Sequence, residues 1–186
     1  MEIAACVLSL PERAPLLTEC LDSIDTQTRK PDDVVVGIDP YRLGQVGNSN
    51  RLLDATDSEW VAFVDSDDLW YPNHLAVCET FMDDADVVVS RYDLIGRPWS
   101  SIEPWHHDFA DLRWTNWIGS LSMVCFRREV FGRMCEPYGR YCWIDWANYN
   151  RLLDAGARFV DTGLVTTQYR FGDWSNGSWR AIGGDR

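Results

Sequence analysis

The sequence predicts an α/β protein with a single domain, in which helices flank a mainly parallel central sheet. Apolar runs of strand length occur in the first half at residues 3–10, 34–39, 60–65 and 86–91. Segments with helical periodicity separate these runs, and several of the runs end in acidic or turn residues. This alternation predicts parallel strands joined by right-handed crossovers. A chain of 186 residues is the size of one domain and can bury a substantial core.

The first half is predicted to follow the order β-α-β-α-β-α-β, a Rossmann-like arrangement. Strand 3–10 precedes a helix whose apolar face holds Leu16, Leu17, Cys20, Leu21 and Ile24. The next predicted elements, in chain order, are a second buried strand over 34–39, a loop over 44–50, a helix over 51–55, a strand over 60–65, a helix over 72–82 and a strand over 86–91.

The polar end of the third strand is the first candidate for a functional site. Five apolar residues lead into Asp65, Ser66, Asp67 and Asp68, and Pro72 then permits a helix to begin. Such an apolar run is typical of a strand buried on both faces, and ligands bind at the carboxyl ends of strands in open α/β sheets. Alternate residues of an extended chain point the same way, so Asp65 and Asp67 can converge on one ligand. A divalent cation would relieve the repulsion among these carboxylates, and without one an acid should have a raised pKa.

The second half is predicted to be less regular and rich in tryptophan. A strand is expected over 119–126, a short helix over 127–131, a helix that reaches residue 153 before Gly156, and closing strands at 159–160 and 164–169. Asp145 lies near the amino end of the longer helix, where the helix dipole favours a carboxylate. Eight of the ten tryptophans follow residue 98. They fit an aromatic core with an irregular lid, or a site in which two or three of them form stacking surfaces for sugar rings or bases.

Composition limits the function classes. A net charge of −12 argues against broad binding to nucleic acid or to an anionic membrane. No apolar stretch approaches the ~20 residues that span a bilayer. The six cysteines include no Cys-x-x-Cys pair, and several fall in apolar patterns, so we expect reduced core thiols. The acidic start of the chain runs into a strand and does not look like a signal peptide, so we expect a cytoplasmic protein.

Several blocks together resemble a family 2 glycosyltransferase of the GT-A fold. They are a strand ending in Asp39, the Asp65-Ser66-Asp67-Asp68 turn with its Asp-x-Asp spacing, and Ile144-Asp145-Trp146 followed by Arg151-Leu152. Residues 27–31 and 122–131 fit the same pattern. The order and spacing of these blocks extend over nearly the whole chain.

The resemblance implies transfer of a sugar from a nucleotide-diphosphate donor, with inversion at the anomeric carbon. Asp39 would bind the nucleobase, Asp65 would face the ribose or a metal-bound water, and Asp67 would ligate Mg²⁺ or Mn²⁺ on the diphosphate. Asp145 would be the general base that deprotonates the acceptor hydroxyl. The donor-binding residues implied in this way, with a UDP-sugar favoured, are Leu10, Pro11, Arg13, Asp39, Asn50, Asp65, Ser66 and Arg170.

Two positions depart from the family pattern. Ile144 stands where the family usually has Glu, immediately before the predicted base. The family often has a His after the closing strand that helps to hold the metal or the diphosphate, and this chain offers Arg170 or Asp173 there instead.

The resemblance also divides the chain by role. Residues 1–92 would bind the nucleotide sugar and residues 93–186 would bind the acceptor, with Trp117, Trp143 and Trp146 as candidate stacking residues. The acceptor could be a glycan, a lipid-linked sugar, a protein side chain or a modified nucleobase. A non-catalytic sugar-nucleotide or glycan-binding module is the alternative function. A nucleotidyltransferase ranks lower because the loop after the first strand has no glycine.

Overall fold

The computed structural model describes residues 1–95 and 108–170. Four of the tryptophans (Trp99, Trp105, Trp174, Trp179) and Asp173 lie outside the described residues. The strands are β1 (Ile3–Ser9), β2 (Asp33–Ile38), β3 (Trp60–Asp65), β4 (Leu69–Trp70), β5 (Val87–Ile95), β6 (Val124–Arg127) and β7 (Phe159–Arg170). The α-helices are α1 (Ala14–Asp25), α2 (Gly44–Asp54), α3 (His74–Glu79), α4 (Arg128–Phe131) and α5 (Ile144–Asp154), and 3-10 turns occupy Pro11–Arg13, Phe109–Arg113 and Leu121–Met123.

In the described part of the chain, the strands form one sheet in the order β2-β1-β3-β6-β5-β7-β4. The pairs β1–β2, β1–β3 and β5–β7 are parallel, whereas β6 and β4 run antiparallel to their neighbours. The predicted α/β class and mainly parallel sheet are therefore confirmed. Because β1, β2 and β3 are parallel, their carboxyl ends meet at one edge of the sheet, where ligands bind in open α/β folds.

The core lies on both faces of β1 and β3. Alternate residues of β1 enter two apolar layers: Cys6 packs on the α2 face, and Ala5 and Val7 pack on the face covered by α1 and α3. The apolar residues of β3 from Trp60 to Val64 are completely buried. This burial on two faces explains why both strands are continuous apolar runs in the sequence.

Strand β2 differs from its prediction as a buried strand. It is the edge strand of the sheet, and Val34, Val36 and Ile38 each remain about 40% exposed, at 43%, 39% and 43%. Periodicity could not reveal this, because an edge strand and an inner strand of valines have the same apolar pattern.

The loop predicted over 44–50 is wrong, because helix α2 begins at Gly44. The carboxylate of Asp39 accepts hydrogen bonds from the backbone N–H groups of Leu43 and Gly44 at 2.9 and 3.0 Å, which stabilises the helix start. Gly37 on β2 lets α2 pack closely, since a Cβ there would lie 2.8 Å from Asn48 Oδ1. Tertiary contacts thus override the low helix propensity of a Gly- and Asn-rich segment.

Three further boundaries differ from the prediction. The strand expected over 119–126 begins only at Val124, because a 3-10 turn precedes it. The helix expected over 72–82 is confined to α3. The two closing strands are one strand, β7, whose pairing with β5 shifts register between Val89 and Tyr92. Among the described residues, no helix has the length and apolar composition needed to cross a membrane.

Candidate active site

The candidate site is built where β1 and β3 end side by side. The turn after β3 is fixed by two backbone hydrogen bonds, from Ser66 N–H to Leu8 C=O at 2.8 Å and from Asp68 N–H to Asp65 C=O at 2.9 Å. Asp67 and Asp68 are buried, at 4% and 1% exposure. The turn therefore directs carboxylates into the protein rather than into solvent, unlike an ordinary polar turn.

Asp67 is paired with Arg13 from the 3-10 turn that follows β1. The Arg13 guanidinium donates to Asp67 Oδ1 at 2.9 Å, and both side chains are largely buried. Arg170 at the end of β7 donates from Nε to the Asp67 carbonyl at 2.9 Å. Burial raises the pKa of Asp67, and the positive charges of Arg13 and Arg170 oppose this rise. A cationic group at this carboxylate is thus already part of the structure.

Asp68 holds the turn in place. Its carboxylate accepts hydrogen bonds from the Ser122 hydroxyl at 2.6 Å, the Ser120 hydroxyl at 3.3 Å and the Arg170 backbone N–H at 2.9 Å. Burial, together with the neighbouring charges of Asp67 and Asp65, raises its pKa well above the ordinary range. Its two carboxylate oxygens face protein donors, so Asp68 has a structural role beside the Asp-x-Asp pair.

Asp65 carries the predicted raised pKa. Burial, with the charge of Asp67, raises the pKa of Asp65 to about 7, while Arg13 acts in the opposite direction and Asp145 adds to the rise. The Ser120 hydroxyl lies 3.4 Å from Asp65 Oδ2. The effect of Asp145 on Asp65 indicates that the predicted general base and the predicted metal and donor ligand lie near one another, although they are 80 positions apart in the sequence.

Asp145 occupies the first turn of α5, as predicted. Its Oδ1 accepts the Trp146 N–H at 2.7 Å, and its Oδ2 accepts an N–H from the Asn116 amide at 3.1 Å. The same Asn116 nitrogen also contacts the Gly119 carbonyl at 3.0 Å, which fixes the amide orientation. Burial raises the pKa of Asp145 to about 6, and the two hydrogen bonds limit the rise. A carboxylate with this pKa is a suitable general base near neutral pH.

Tyr169 lies within the electrostatic field of all four carboxylates. Burial raises the pKa of its phenol, and the charges of Asp68, Asp65, Asp145 and Asp67 raise it further, in that order. The ring also packs edge-on against Tyr92, with 5.6 Å between the centroids. The Tyr169 phenol is therefore near enough to the acids of the β3 turn and of α5 for their charges to act on it.

The other residues predicted to bind the donor lie at the ends of β1 and β2 and on helix α2. Leu10 and Pro11 lie directly after β1, next to Arg13. Asp39 is 3% exposed and holds the start of α2, as described above. The Asn50 amide is hydrogen-bonded at both ends to the backbone of Met134, at 3.1 and 2.9 Å. The structure thus places Asn50 in a packing contact between α2 and the segment after α4, and its role in donor binding stays a prediction.

Ser66 is completely buried, and its hydroxyl has no hydrogen-bond partner within residues 1–95 and 108–170. A buried hydroxyl without a partner costs free energy. Ser66 lies between Asp65 and Asp67 in the sequence, and its role in donor binding stays a prediction.

The three candidate acceptor tryptophans are not equivalent. Trp117 is 7% exposed and packs in the core against Phe109, with ring centroids 5.3 Å apart. Trp143 and Trp146 are half-buried at the start of α5, beside Asp145. Trp146 donates from Nε1 to the Leu112 carbonyl. The two tryptophans next to Asp145 are therefore the better placed to contact an acceptor.

Sequence reasoning missed four polar residues of the site: Asn116, Ser120, Ser122 and Tyr169. Single serines and asparagines in irregular segments carry no periodic signal. Tyr169 had a weak signal, since it directly precedes Arg170 at the end of a predicted strand. These side chains reach the acids only through long-range contacts.

The residues present fit a divalent metal ion. Asp65 and Asp67 offer hard carboxylate oxygens from one turn, and they are close enough for the charge of Asp67 to raise the pKa of Asp65. The Arg13 guanidinium, 2.9 Å from Asp67, shows that this carboxylate is placed to hold a positive charge. Oxygen ligands of this type suit Mg²⁺ or Mn²⁺.

The chain is similar to known proteins in both sequence pattern and fold. Residues 30–136 match the family model described as Glycosyl transferase family 2. The solved structure of S. aureus TarS 1–349 in complex with UDP-GlcNAc superimposes with a TM-score of 0.70 at 16% identity and covers 93% of this chain. The mannosyltransferase PcManGT from Pyrobaculum calidifontis, in complex with GDP-Man and Mn²⁺, gives a TM-score of 0.66 at 19% identity and covers 96% of this chain.

These similarities confirm the predicted GT-A fold. The chain spans 59% of the length of each of these two structures. No curated protein sequence matches the chain. The family match covers the Asp-x-Asp turn, but it does not include Arg13, Asp145 or Arg170.

Proposed function

The chain belongs to glycosyl transferase family 2, whose model matches residues 30–136 of 186, and on this basis we propose that it is a metal-dependent, inverting transferase. It moves a sugar from a nucleotide-diphosphate donor to an acceptor hydroxyl. The observation that carries this proposal is the proximity of Asp65 to both Asp67 and Asp145 at the carboxyl end of β3, where the charges of both raise the pKa of Asp65.

The proposed donor is a nucleotide-diphosphate sugar, with a UDP-sugar favoured. Two of the similar structures are complexes with UDP-GlcNAc and GDP-Man. Leu10, Pro11 and Arg13 line the proposed pocket at the end of β1, and Arg170 adds a second guanidinium near Asp67. Asp39 would contact the nucleobase from the end of β2. Asn50 and Ser66 complete the proposed donor-binding set.

Asp67, together with Asp65, would hold Mn²⁺ or Mg²⁺. A bound divalent ion would neutralise charge on the diphosphate and so make it a better leaving group. The structure of PcManGT contains Mn²⁺. Arg13 has two roles in this proposal: it balances the charge of Asp67 before the donor binds, and it faces the diphosphate oxygens afterwards.

Asp145 is the proposed general base. Asn116 and the Trp146 N–H hold its carboxylate, so one orientation is favoured before the acceptor binds. Inversion requires attack on the anomeric carbon from the face opposite the diphosphate. Asp145 enters the site from α5, whereas Asp67 enters from the β3 turn, and this separation supports the division of roles.

Residues 93–186 are proposed to bind the acceptor, with Trp143 and Trp146 next to the base and Trp117 behind them, while residues 1–92 bind the donor. A glycan, a lipid-linked sugar, a protein side chain and a modified nucleobase all present a hydroxyl that Asp145 could deprotonate. We also propose a cytoplasmic location, which the six free cysteines support because thiols persist in a reducing compartment.

The test uses water as the simplest acceptor. UDP- and GDP-sugars are incubated with the protein and Mn²⁺, and free nucleotide diphosphate and the anomeric configuration of the released sugar are followed by NMR. An α-linked donor should release the β-sugar first, and chelation of the metal should stop release. Donor binding without any release, even with a panel of acceptors, would favour a non-catalytic binding module. Release of the α-sugar would contradict inversion.

A further inference from the structure

A second group of metal-ligand side chains lies between helix α3 and the sheet and shares no residue with the acidic site. His74, Cys78 and Cys125 are completely buried. One ligand atom from each lies within 4.8 Å of the other two. Among the described residues, these three form the one group of three or more His, Cys, Asp or Glu side chains whose ligand atoms all lie within this distance of one another.

The fold places these three side chains together by simple geometry. His74 and Cys78 are four residues apart on α3, so they lie on the same face of the helix. Cys125 is on β6, the strand between β3 and β5 in the sheet. The site therefore joins helix α3 to the central part of the sheet, with Cys78 and Cys125 47 positions apart in the sequence.

The imidazole of His74 is oriented as in a metal ligand. Its Nδ1 lies 2.8 Å from the Thr166 hydroxyl, which can accept the Nδ1 hydrogen. The Thr167 hydroxyl lies 3.4 Å from the same nitrogen. In the tautomer that carries its hydrogen on Nδ1, the lone pair of Nε2 is directed at the Cys78 sulfur, 3.9 Å away. Metal-bound histidines characteristically donate their second ring N–H to a neighbouring oxygen in this way.

The distances suit one ion between the three atoms. Bond lengths of about 2.3 Å to sulfur and about 2.0 Å to nitrogen place two such ligand atoms roughly 3.5–3.8 Å apart. The observed 3.9 Å between Nε2 and the Cys78 sulfur is close to this value. The remaining separations, up to 4.8 Å, need to close by only about 1 Å.

We propose that His74, Cys78 and Cys125 bind one thiophilic ion, Zn²⁺ or Cu⁺. Thiolate sulfur and imidazole nitrogen are ligands for these ions and not for the Mg²⁺ or Mn²⁺ of the acidic site. Binding converts both thiols to thiolates, and the two protons go to solvent. With Zn²⁺ the site is then electrically neutral, which suits a buried position, whereas Cu⁺ readily accepts three ligands.

The ion would have a structural role. The Trp70 ring on β4 stacks on His74, with 4.5 Å between the centroids, and Trp70 Nε1 donates to the Ser122 carbonyl at 2.9 Å. Because β4 directly follows the acidic turn, an ion at His74 would fix α3 and β4 beneath that turn. We expect a bound ion to raise the melting temperature without taking part in the transfer reaction.

The experiment uses untagged protein, because an affinity tag rich in histidine would bind the same ions. The full chain is produced in zinc-supplemented medium and treated with EDTA to remove accessible ions. In parallel it is refolded from denaturant under reducing conditions with Zn²⁺, Cu⁺ or Co²⁺, since a buried site loads during folding. Metal content is then measured by mass spectrometry, and the Co²⁺ form is examined by absorption spectroscopy.

We expect about one EDTA-resistant ion per chain, and a thiolate-to-cobalt charge-transfer band that the carboxylates of the acidic site cannot produce. The Zn²⁺ and Cu⁺ arms identify the preferred ion. Cys125→Ser and Cys78→Ser should lose both the ion and the band. Cys6→Ser is the matched control, because Cys6 is equally buried in the sheet but outside the cluster, and it should retain both.

The wild-type refolding arms do not depend on whether any variant folds. Metal content well below one ion per chain in all of them would overturn the proposal. A disulfide between Cys78 and Cys125 in the purified protein, or metal content unchanged in a folded Cys125→Ser variant, would also overturn it.

Discussion

The two ends of strand β3 are both highly charged, but their charges are arranged differently. At the amino end, a cavity of about 500 Å³ is lined by Leu53, Asp54, Asp57, Ser58, Glu59, Arg127, Arg128, Glu129, Gly132 and Arg133. Its arginines are matched by acids: Arg127 pairs with Glu59 at 2.8 Å, and Arg133 pairs with Asp54. Several of these partners are half-exposed or exposed.

At the carboxyl end, the acids outnumber the cations among the described residues. Asp65, Asp67, Asp68 and Asp145 meet there, and Arg13 and Arg170 are the basic groups in contact with the turn. Asp67 and Asp68 are buried, Asp65 and Asp145 are half-buried, and the pKa values of all four are raised. Poorly balanced charge away from solvent is costly unless a ligand compensates it, which supports the proposed site at this end of β3 rather than at the cavity of the other end.

The largest expected effect of a substitution is at Asp145. Asp145→Asn keeps the size of the side chain but removes the base, so we expect nucleotide release to fall by about 10²–10⁴-fold with donor affinity nearly unchanged. Asp154→Asn is the matched control on the same helix, because Asp154 is exposed and pairs only with Arg113 in the described contacts. Activity of Asp145→Asn close to wild type would remove Asp145 as the base.

The pH dependence of the reaction rate should report the ionisation of Asp145, the proposed base. Burial raises the pKa of Asp145 to about 6, and the base acts only when it is ionised. The rate should therefore be constant above this pKa and fall about tenfold for each pH unit below it. The measurement is kcat against pH at saturating donor and metal. A rate that rises as the pH falls below 6 would contradict a carboxylate base.

Asn116 tests whether the orientation of the base matters. The hydrogen bond from Asn116 to Asp145 Oδ2 limits the rise in the Asp145 pKa, and Asn116→Ala removes this bond. We expect about a tenfold loss of rate from misplacement of the base, and an acidic limb that moves to higher pH. Asn73→Ala is the control, because Asn73 is exposed and makes no capping hydrogen bond at α3. An unchanged pH profile would limit Asn116 to a structural role.

The smallest effects are expected at the amino end of β3. Arg133→Gln breaks an ion pair with Asp54 in which both side chains are more than half exposed. Exposed pairs contribute at most about 1 kcal/mol to stability, so the unfolding free energy should change by no more than this. Nucleotide release should be unaffected. A strong loss of activity in Arg133→Gln would show that this cavity takes part in the function.

The sequence was sufficient to predict the strand ends but not their surroundings. Asp65 and Asp67 were found because an apolar run of five residues ends at them, and Asp145 because of the resemblance and its place at a helix start. Ser120 and Ser122 could not be found in this way, because they reach Asp68 from a 3-10 turn more than 50 residues away. Their role depends on tertiary contacts that leave no local pattern.

Tertiary contacts that leave no local pattern also explain the errors in the predicted fold. The first part of helix α2 was predicted as a loop because the start of the helix depends on Asp39, whose carboxylate accepts two backbone N–H groups across a turn. The exposed edge position of β2 depends on the strand order, and the strand order depends on contacts made by the whole chain. Local propensity describes neither kind of contact.

The most direct test compares the two ends of β3 by thermal melting. Wild type, Asp67→Asn and Glu59→Gln are each melted with UDP- and GDP-sugars, with and without Mn²⁺. A ligand at 100 times its Kd stabilises the folded state by about 2.7 kcal/mol, which raises the melting temperature by several degrees. Wild type and Glu59→Gln should show this increase with one class of donor and only with Mn²⁺, and Asp67→Asn should not. An equal increase in Asp67→Asn, or its loss in Glu59→Gln, would contradict the assignment of the donor site to the carboxyl end of β3.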